Sequence, residues 1–307
     1  MIPDSIPFTK LTAGGNDFIC IDNTQGGFDE LLASPSLPGF VRNLCRRGLS
    51  IGADGLIFAE NLGGGAGVDI CARFMEPDGT EAELCGNGTA CFTYWALDRN
   101  LVQGPQVDIL TAAGAAQAQV TDEDRHRVRV CVPDSRDLQT GLTIDAAERT
   151  WLLDYVNIGV PHAVVYVEDL TGIDVDRDGR AIRHHQRFGP RGTNVNFVQV
   201  EEEGRLTIRT FEFGVEAETL ACGTGSTAAA ILTTLRRDWP EPYRRGEKAV
   251  DVTVKGGETL RIWFVMHTDD CHVTDICLET RARAIYDGQI RPELIRELVA
   301  EHQDGTQ

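Results

Sequence analysis

Hydrophobic and polar residues alternate along two short stretches of the chain. Residues 128–132 read VRVCV and residues 206–211 read LTIRTF. A period of two puts neighbouring side chains on opposite faces, so both stretches are predicted to be half-buried strands. Residues 228–235 and 295–302 are instead rich in helix formers, and we predict helices there.

A repeated motif accompanies this pattern. Residues 80–92 read TEAELCGNGTACF and residues 216–228 read EAETLACGTGSTA. Each has an acidic stretch, a Leu, a Cys-Gly-polar-Gly turn and then small residues. The repeated cysteines, Cys85 and Cys222, lie about half a chain length apart, which predicts a duplicated domain with one motif in each half.

The repeated motif has a clear physical interpretation as a glycine turn that leads into a helix. Glycine lets the backbone approach a ligand closely. The first N–H groups of a helix have no partner within it, and the helix dipole is positive there, so a carboxylate can dock. The same field favours the thiolate form of a cysteine. Each half is therefore predicted to combine an anion-binding group of amides with an activated thiol.

Composition narrows the class of protein. The 307 residues include 47 Asp and Glu against 29 Lys and Arg, a net charge of −18. This sign disfavours nucleic acid and anionic membranes as partners, and no apolar run is long enough for a membrane span. Residues 1–10 lack the features of a signal peptide, so we expect a cytoplasmic protein. The acidic, Lys-poor composition fits either adaptation to high salt or a GC-rich genome.

Nine cysteines without a CxxC pair or zinc-finger spacing favour neither a disulfide framework nor a metal site. Most of them are expected to be buried as small apolar residues, including Cys20, Cys45, Cys71 and Cys131. No dinucleotide or phosphate-loop motif occurs, and three lysines leave few candidates for a Schiff base. We therefore predict no cofactor and no metal.

Two such thiols suit one reaction in particular. If the two halves face each other, one thiolate can remove the α-proton of a carboxylate-bearing carbon, and the other thiol can deliver a proton to the opposite face. The helix N-termini would stabilise the negative charge that develops. The sequence therefore predicts an isomerase that inverts an α-carbon.

At this level of detail the chain resembles the diaminopimelate epimerase family, the two-cysteine amino-acid racemases and epimerases that act without a cofactor. The resemblance spans nearly the whole chain. It rests on residues 8–10 (FTK) and 15–18 (GNDF), 47–55 (RGLSIGADG), 78–81 (DGTE), 85–88 (CGNG), 159–164 (GVPHAV), 192–197 (GTNVNF), and 218–225 (ETLACGTG).

The resemblance implies an α/β (α+β) fold of two pseudo-symmetric domains. Each would be a curved sheet or barrel around a central helix, with the active site in the cleft between them. We expect an N-terminal domain of residues 1–131, completed by residues 284–307, and a C-terminal domain of residues 132–283. The resemblance also implies a small amino-acid substrate and a homodimer.

It further implies a set of site residues. The acid/base pair would be Cys85 and Cys222, with His162 and Glu212 poising the thiols. The other expected residues bind substrate, through backbone amides or side chains: Asn16, Glu76, Gly86, Asn87, Val160, Asn194, Phe213, Gly223 and Thr224. Asp54 and Asp78 each precede a glycine and are expected to build turns.

Three departures from the family bear on the substrate. The family's Arg that grips the far carboxylate of diaminopimelate is missing, because its position holds Phe213 in one alignment and Gly214 in the other. Two family asparagines are replaced by Glu76 and Val160. Loss of a buried charge-assisted pair costs about 1.5–3 kcal/mol, which favours a different amino acid, such as the basic amino acid histidine. Diaminopimelate itself stays open, because Arg191 or Arg209 could replace the missing Arg.

Other classes of protein remain as alternatives. A cysteine hydrolase would use one thiol with His162 and would leave the second motif unexplained. A thiol redox protein would work through a Cys85–Cys222 disulfide, a bond that should inactivate a two-base isomerase.

Overall fold

The computed structural model describes residues 5–61, 67–82, 85–122, 124, 126–132, 134–267 and 272–295. These residues form two units, each with its own internal packing. The first takes in the described residues up to Val130 and those from Arg281 onward, and the second is Cys131–Thr280. The helix predicted at 295–302 lies almost wholly outside the described residues.

The first unit is built mainly of strands. Its strands are β1 (Ile6–Ala13), β2 (Asn16–Asn23), β3 (Gly55–Glu60), β4 (Ile70–Met75), β5 (Glu81–Ala82), β6 (Gln106–Thr111), β7 (Gly114–Val120) and β8 (Arg127–Cys131). Its helices are α1 (Asp29–Leu32), α2 (Leu37–Cys45) and α3 (Gly86–Asp98).

The second unit repeats this composition. Its strands are β9 (Arg136–Ala146), β10 (Arg149–Ile158), β11 (Val160–Tyr166), β12 (Asn194–Glu202), β13 (Arg205–Glu212), β14 (Ala217–Thr219), β15 (Val250–Thr253), β16 (Thr259–His267) and β17 (His272–Ile290), whose later part belongs to the first unit. Its helices are α4 (Val175–Arg183), α5 (Gly223–Arg236) and α6 (Glu241–Arg244), and short 3₁₀ turns cover Leu170–Gly172 and Gln186–Phe188.

Strand pairing follows the same plan in both units. In the first, the order β1-β2-β3-β4-β6-β7-β8 is closed into an eight-stranded barrel by the end of β17, which pairs with β8 and β1. In the second, the order is β9-β10-β11-β12-β13-β15-β16-β17. The parallel pairs, β2–β3 and β4–β6, correspond to β11–β12 and β13–β15.

Each unit surrounds one helix with strands. In α3 the side chains of Ala90, Phe92 and Ala96 have no exposed surface, and in α5 the same holds for residues 228–232. A helix that is apolar on every side must be buried on every side. The predicted fold class, strands around a central helix in each of two similar units, is therefore confirmed.

The two central helices also end alike. The residue after the last helical turn, Asn100 or Asp238, has a positive φ of 57° or 52°. The N–H of the following residue, Leu101 or Trp239, donates to the carbonyl five residues earlier at 2.8 or 3.0 Å. This is the Schellman arrangement, which satisfies the last carbonyls of a helix.

The alternating stretches form strands as predicted, in β8 and β13. The expected burial of Cys131 was wrong. In β8 the valines at 128 and 130 are buried, so strand parity turns Cys131 outward together with Arg127. Cys20 and Cys45 are buried as expected, and Cys71 is partly exposed.

Because α3 has strand partners on all sides, truncation of Phe92, its largest side chain with no exposed surface, should leave a cavity that cannot collapse. We expect Phe92→Ala to lower the free energy of unfolding by about 3–5 kcal/mol. Leu152→Ala, at a position that is 49% exposed, is the control and should change it by less than about 0.5 kcal/mol. Urea denaturation measures both, and equal losses would contradict the packing described for α3.

Candidate active site

Cys85 caps the N-terminus of α3. Its backbone is extended, with φ −130° and ψ 114°, and its Sγ accepts a hydrogen bond from the N–H of Gly88 at 3.4 Å. Gly86 and Asn87 occupy the first two helical positions, where N–H groups have no partner within the helix. A Cβ on Gly88 would lie 3.3 Å from the Cβ of Cys85, so the turn has little room for a side chain.

Cys222 caps the N-terminus of α5 in the same way. Its φ and ψ are −136° and 113°, and its Sγ accepts from the N–H of Gly225 at 3.3 Å. The hydroxyl of Thr224 lies 3.6 Å from the same sulfur. Gly223 and Thr224 occupy the first two helical positions. The repeated sequence motif therefore has one local structure in both units.

A line of hydrogen bonds fixes two asparagines near Cys85. Asn16 donates from Nδ2 to Asp54 Oδ2 at 3.2 Å, and Asn87 donates from Nδ2 to Asn16 Oδ1 at 2.8 Å. A carboxylate only accepts, so Asp54 determines which way both amides point. Gly14, with a φ of +58°, leaves room for Asn87, because a Cβ there would lie 2.6 Å from Oδ1.

Asp54 therefore does more than build a turn. Its carboxylate pairs with Arg47 at 2.7 Å, and Arg47 also pairs with Asp17.

Asp17 is also paired with Lys10, which is almost fully buried and whose Nζ lies 2.8 Å from Oδ2 of Asp17. Burial alone would raise the pKa of Asp17, but hydrogen bonds from Arg47 and Lys10 outweigh it and lower this pKa to about 2. Asp78 forms the expected turn, accepting from the N–H of Thr80 at 2.8 Å.

Glu76 follows β4 and is exposed. The pKa of its carboxyl group is raised, first by partial desolvation and then by the nearby carboxylates of Asp78 and Asp54. This end of the first unit is therefore a locally acidic turn.

In the second unit, Asn194 joins the start of β11 to the end of β13. Its Nδ2 donates to the carbonyl of Pro161 at 3.0 Å, and its Oδ1 accepts from the N–H of Phe213 at 2.8 Å. Val160 is half-buried at the start of β11. Glu212 is half-buried at the end of β13, where its carbonyl accepts from the N–H of Glu216 at 2.9 Å.

His162 is completely buried, and burial lowers its pKa to about 3. It is therefore neutral at physiological pH. Its Nδ1 lies 3.2 Å from Nδ2 of Asn196, whose amide also contacts β11 and β13. Asn196 was not singled out from the sequence. The signal was there: Asn194 and Asn196 share one face at the start of β12, where the neighbouring residues 195, 197 and 198 are apolar.

Two guanidinium groups contact the ring of Phe213. That of Arg183 lies 4.3 Å from the ring centroid, and that of Arg191 lies 5.3 Å from it. Arg183 is buried and pairs with Glu216 at 2.7 Å. Within the described part of the chain, no salt bridge is formed by Arg191, so its guanidinium is the available cation beside Phe213.

The suggestion that Arg209 replaces the missing Arg was wrong. Its guanidinium is bound through two nitrogens to Glu218, at 2.6 and 2.9 Å, and also donates to the carbonyls of Leu170 and Ile173. A further contact of Glu218 with Lys255 completes the ion pair. These donors are already used, so Arg209 cannot offer a bidentate pair to a ligand.

Two surface cavities are lined by none of the site residues predicted from the sequence. The larger, of about 600 Å³, lies beside Asn23, Asp29 and Arg73, and the smaller, of about 270 Å³, beside Tyr155 and Phe188. Among the residues that the structure describes, no group of His, Cys, Asp and Glu could hold a metal ion. Over the same residues, no helix has the length and hydropathy needed to cross a membrane.

Known proteins resemble this chain over most of its length. The profile of the family described as diaminopimelate epimerase matches residues 8–133 and 154–270. The diaminopimelate epimerase of Aquifex aeolicus is 38% identical over 293 residues, which cover 94% of this chain and 99% of that one. That of Chlorobaculum tepidum is also 38% identical, covering 91% and 99%. The chain therefore belongs to the diaminopimelate epimerase family, and it is an isomerase.

Solved structures show the same fold at low sequence identity. A probable proline racemase from Agrobacterium radiobacter K84 has a TM-score of 0.70 and 16% identity, covering 93% of this chain and 92% of that one. A phenazine biosynthesis protein of the PhzF family from Bacillus anthracis has a TM-score of 0.70 and 15% identity, covering 94% and 99%.

The tight turn at Cys222 leads to a prediction about Gly225. A Cβ there would lie 2.3 Å from Asn196 Oδ1, so Gly225→Ala must displace the asparagine or the helix start. Alanine favours a helix by up to about 1 kcal/mol over glycine, but overpacking costs about 1–3 kcal/mol. We expect net destabilisation in urea denaturation. Gly172→Ala, which has open space around it, is the control, and equal stability of the two variants would contradict the close contact.

Proposed function

We propose that the protein inverts the α-carbon of an amino acid by a two-base mechanism in which Cys85 and Cys222 exchange protons with opposite faces of the substrate. One cysteine, as thiolate, takes the α-proton, and the other, as thiol, gives a proton to the opposite face. The roles exchange in the reverse direction. The observation that carries this proposal is the identical placement of both sulfurs, each against the third N–H of a buried central helix.

The same helix starts suit a substrate carboxylate. In each unit the first two amides after the cysteine point out of the helix end, at Gly86 and Asn87 in one and at Gly223 and Thr224 in the other. Loss of the α-proton moves negative charge onto the carboxylate. Oriented N–H groups and helix dipoles would stabilise that charge most strongly in the transition state.

His162 and Glu212 have supporting roles in this proposal. Because His162 is neutral and buried, it contributes a hydrogen bond rather than a charge. Glu212 lies one residue before Phe213, at the β13 end that Asn194 holds. A carboxylate at this end of the strand would suit the substrate's ammonium group. A cytoplasmic location and a homodimer, both expected from the sequence, stay predictions.

Diaminopimelate is the first substrate that we propose. It is the compound in the names of the relatives described above. Its second carboxylate needs a cation, and the guanidinium of Arg191 beside Phe213 is suited to that role.

A basic amino acid, such as histidine, is the second candidate. It is favoured by the exposed carboxyl of Glu76, which would attract a cationic side chain, and by Val160 and Phe213, which would pack on a ring or an alkyl stem. These are the positions where the chain departs from its family.

Single substitutions of the two cysteines test the mechanism. We expect Cys85→Ser and Cys222→Ser each to reduce inversion by about 10²–10⁴-fold, because a hydroxyl is a far weaker acid than a thiol. Circular dichroism at a substrate wavelength follows inversion. Cys131→Ser, at an exposed thiol, is the matched control and should retain full activity. A cysteine hydrolase would need only one of the two thiols and would keep its activity when the other is replaced. Full activity in either cysteine variant would therefore contradict the two-base proposal.

Exchange of the α-proton in D₂O distinguishes the two substrates. With diaminopimelate as substrate, the wild type should incorporate deuterium into LL- and meso-diaminopimelate, and Arg191→Ala should raise KM more than it lowers kcat. Exchange with histidine, lysine, ornithine or arginine but not with diaminopimelate would favour the second candidate. Proton NMR measures both reactions directly.

A further inference from the structure

Asn196 holds a fully defined position in the core of the second unit. Its Nδ2 donates to the carbonyl of Ala163 at 3.0 Å, and its Oδ1 accepts from the hydroxyl of Thr210 at 3.0 Å. A backbone carbonyl can only accept a hydrogen bond, so the nitrogen of the amide must face β11. The orientation of this side chain is therefore determined by the chemistry of its neighbours.

That orientation has a consequence for His162. The second hydrogen on Nδ2 of Asn196 points to Nδ1 of the imidazole, 3.2 Å away. A donor at this distance needs a lone pair on Nδ1. An imidazolium ion, or a neutral ring with its proton on Nδ1, would instead set one N–H against another.

The other nitrogen of the imidazole is left unsatisfied within the described part of the chain. Nε2 is buried and has no hydrogen-bond partner among the described residues. Buried polar atoms are nearly always satisfied, so this nitrogen calls for a hydrogen-bonding partner, which can be a water molecule or a group of the substrate. With the proton on Nε2, the matching group is an acceptor, such as a carboxylate oxygen or a thiolate.

Asn196 also contacts the start of the central helix. A Cβ at Gly225 would lie 2.3 Å from Asn196 Oδ1, and the N–H of Gly225 donates to Sγ of Cys222. One amide therefore lies between the imidazole of His162 and the turn that carries the thiol. This juxtaposition gives Asn196 a part in the site and not only in the core.

We infer that Asn196 is a positioning residue that holds His162 as the neutral tautomer with its proton on Nε2, so that His162 serves as a hydrogen-bond donor and not as a base. The assignment of Asn196 to an active site rests on the proposed function, whereas the assignment of the tautomer rests on the hydrogen bonds alone. An imidazole whose Nδ1 is occupied and whose Nε2 already carries a proton cannot take up the α-proton. The proton transfers are thereby left to the two thiols.

Nitrogen NMR of the full chain with ¹⁵N-labelled histidine tests this inference directly. Long-range correlations between the carbon-bound protons of the ring and its two nitrogens distinguish the two tautomers and the imidazolium ion. The signal of His162 is assigned by its loss in His162→Gln. We expect the Nε2–H pattern at neutral pH. A wild-type His162 with its proton on Nδ1, or on both nitrogens, would overturn the inference.

A substitution at Asn196 tests the cause. Asn196→Asp replaces the donor at Nδ1 by an acceptor, and we expect the ring signals to shift to a pattern with a proton on Nδ1. Asn157→Asp adds a carboxylate to the neighbouring strand β10 and should leave the His162 signals unchanged. If Asn196→Asp folds and keeps the Nε2–H pattern, Asn196 does not set the tautomer. If it fails to fold, the wild-type spectrum still decides the tautomer.

Failure of the proposed function would look different. Full activity in the cysteine variants would refute the two-base reaction and leave the tautomer spectrum unchanged. A wrong tautomer would instead leave the cysteine results intact.

Discussion

The hydrogen bond from the third helical N–H to a cysteine sulfur is the interaction on which both units depend. A helix enclosed by strands must still satisfy the N–H groups of its first turn. Cys85 and Cys222 each satisfy one of them with a sulfur atom. The first two amides of each helix are those that the proposed function assigns to the substrate carboxylate, so the same turn begins a buried helix and carries the proposed anion site.

Each unit supports its turn with a different set of polar groups. In the first, charges are used: Asp54, held by Arg47, orients Asn16 and through it Asn87. In the second, neutral groups do the same work, with Asn196 between His162 and Gly225. The backbone plan was duplicated, while the supporting side chains diverged.

Much of the fold and part of the site could be predicted from the sequence. The repeated CGxG motif predicted both helix starts, and the alternation in residues 128–132 and 206–211 predicted β8 and β13. The misassigned burial of Cys131 came from weighing its residue type above its strand parity. A polar residue among apolar neighbours marked Asn196 as unusual, but the sequence does not show its partners, which lie on two other strands.

The sequence by itself determined the duplication, the two cysteine turns and the family, because these depend on residues that are close together in the chain. Only the tertiary structure decided which polar side chains face one another. Arg209 is committed to Glu218, whereas Arg191 lies beside Phe213 without an ion pair in the described chain. The tautomer of His162 likewise depends on an amide 34 residues away. A hydrogen bond joins atoms that are close in space. When the two residues are far apart in the sequence, no local sequence pattern indicates that they are partners.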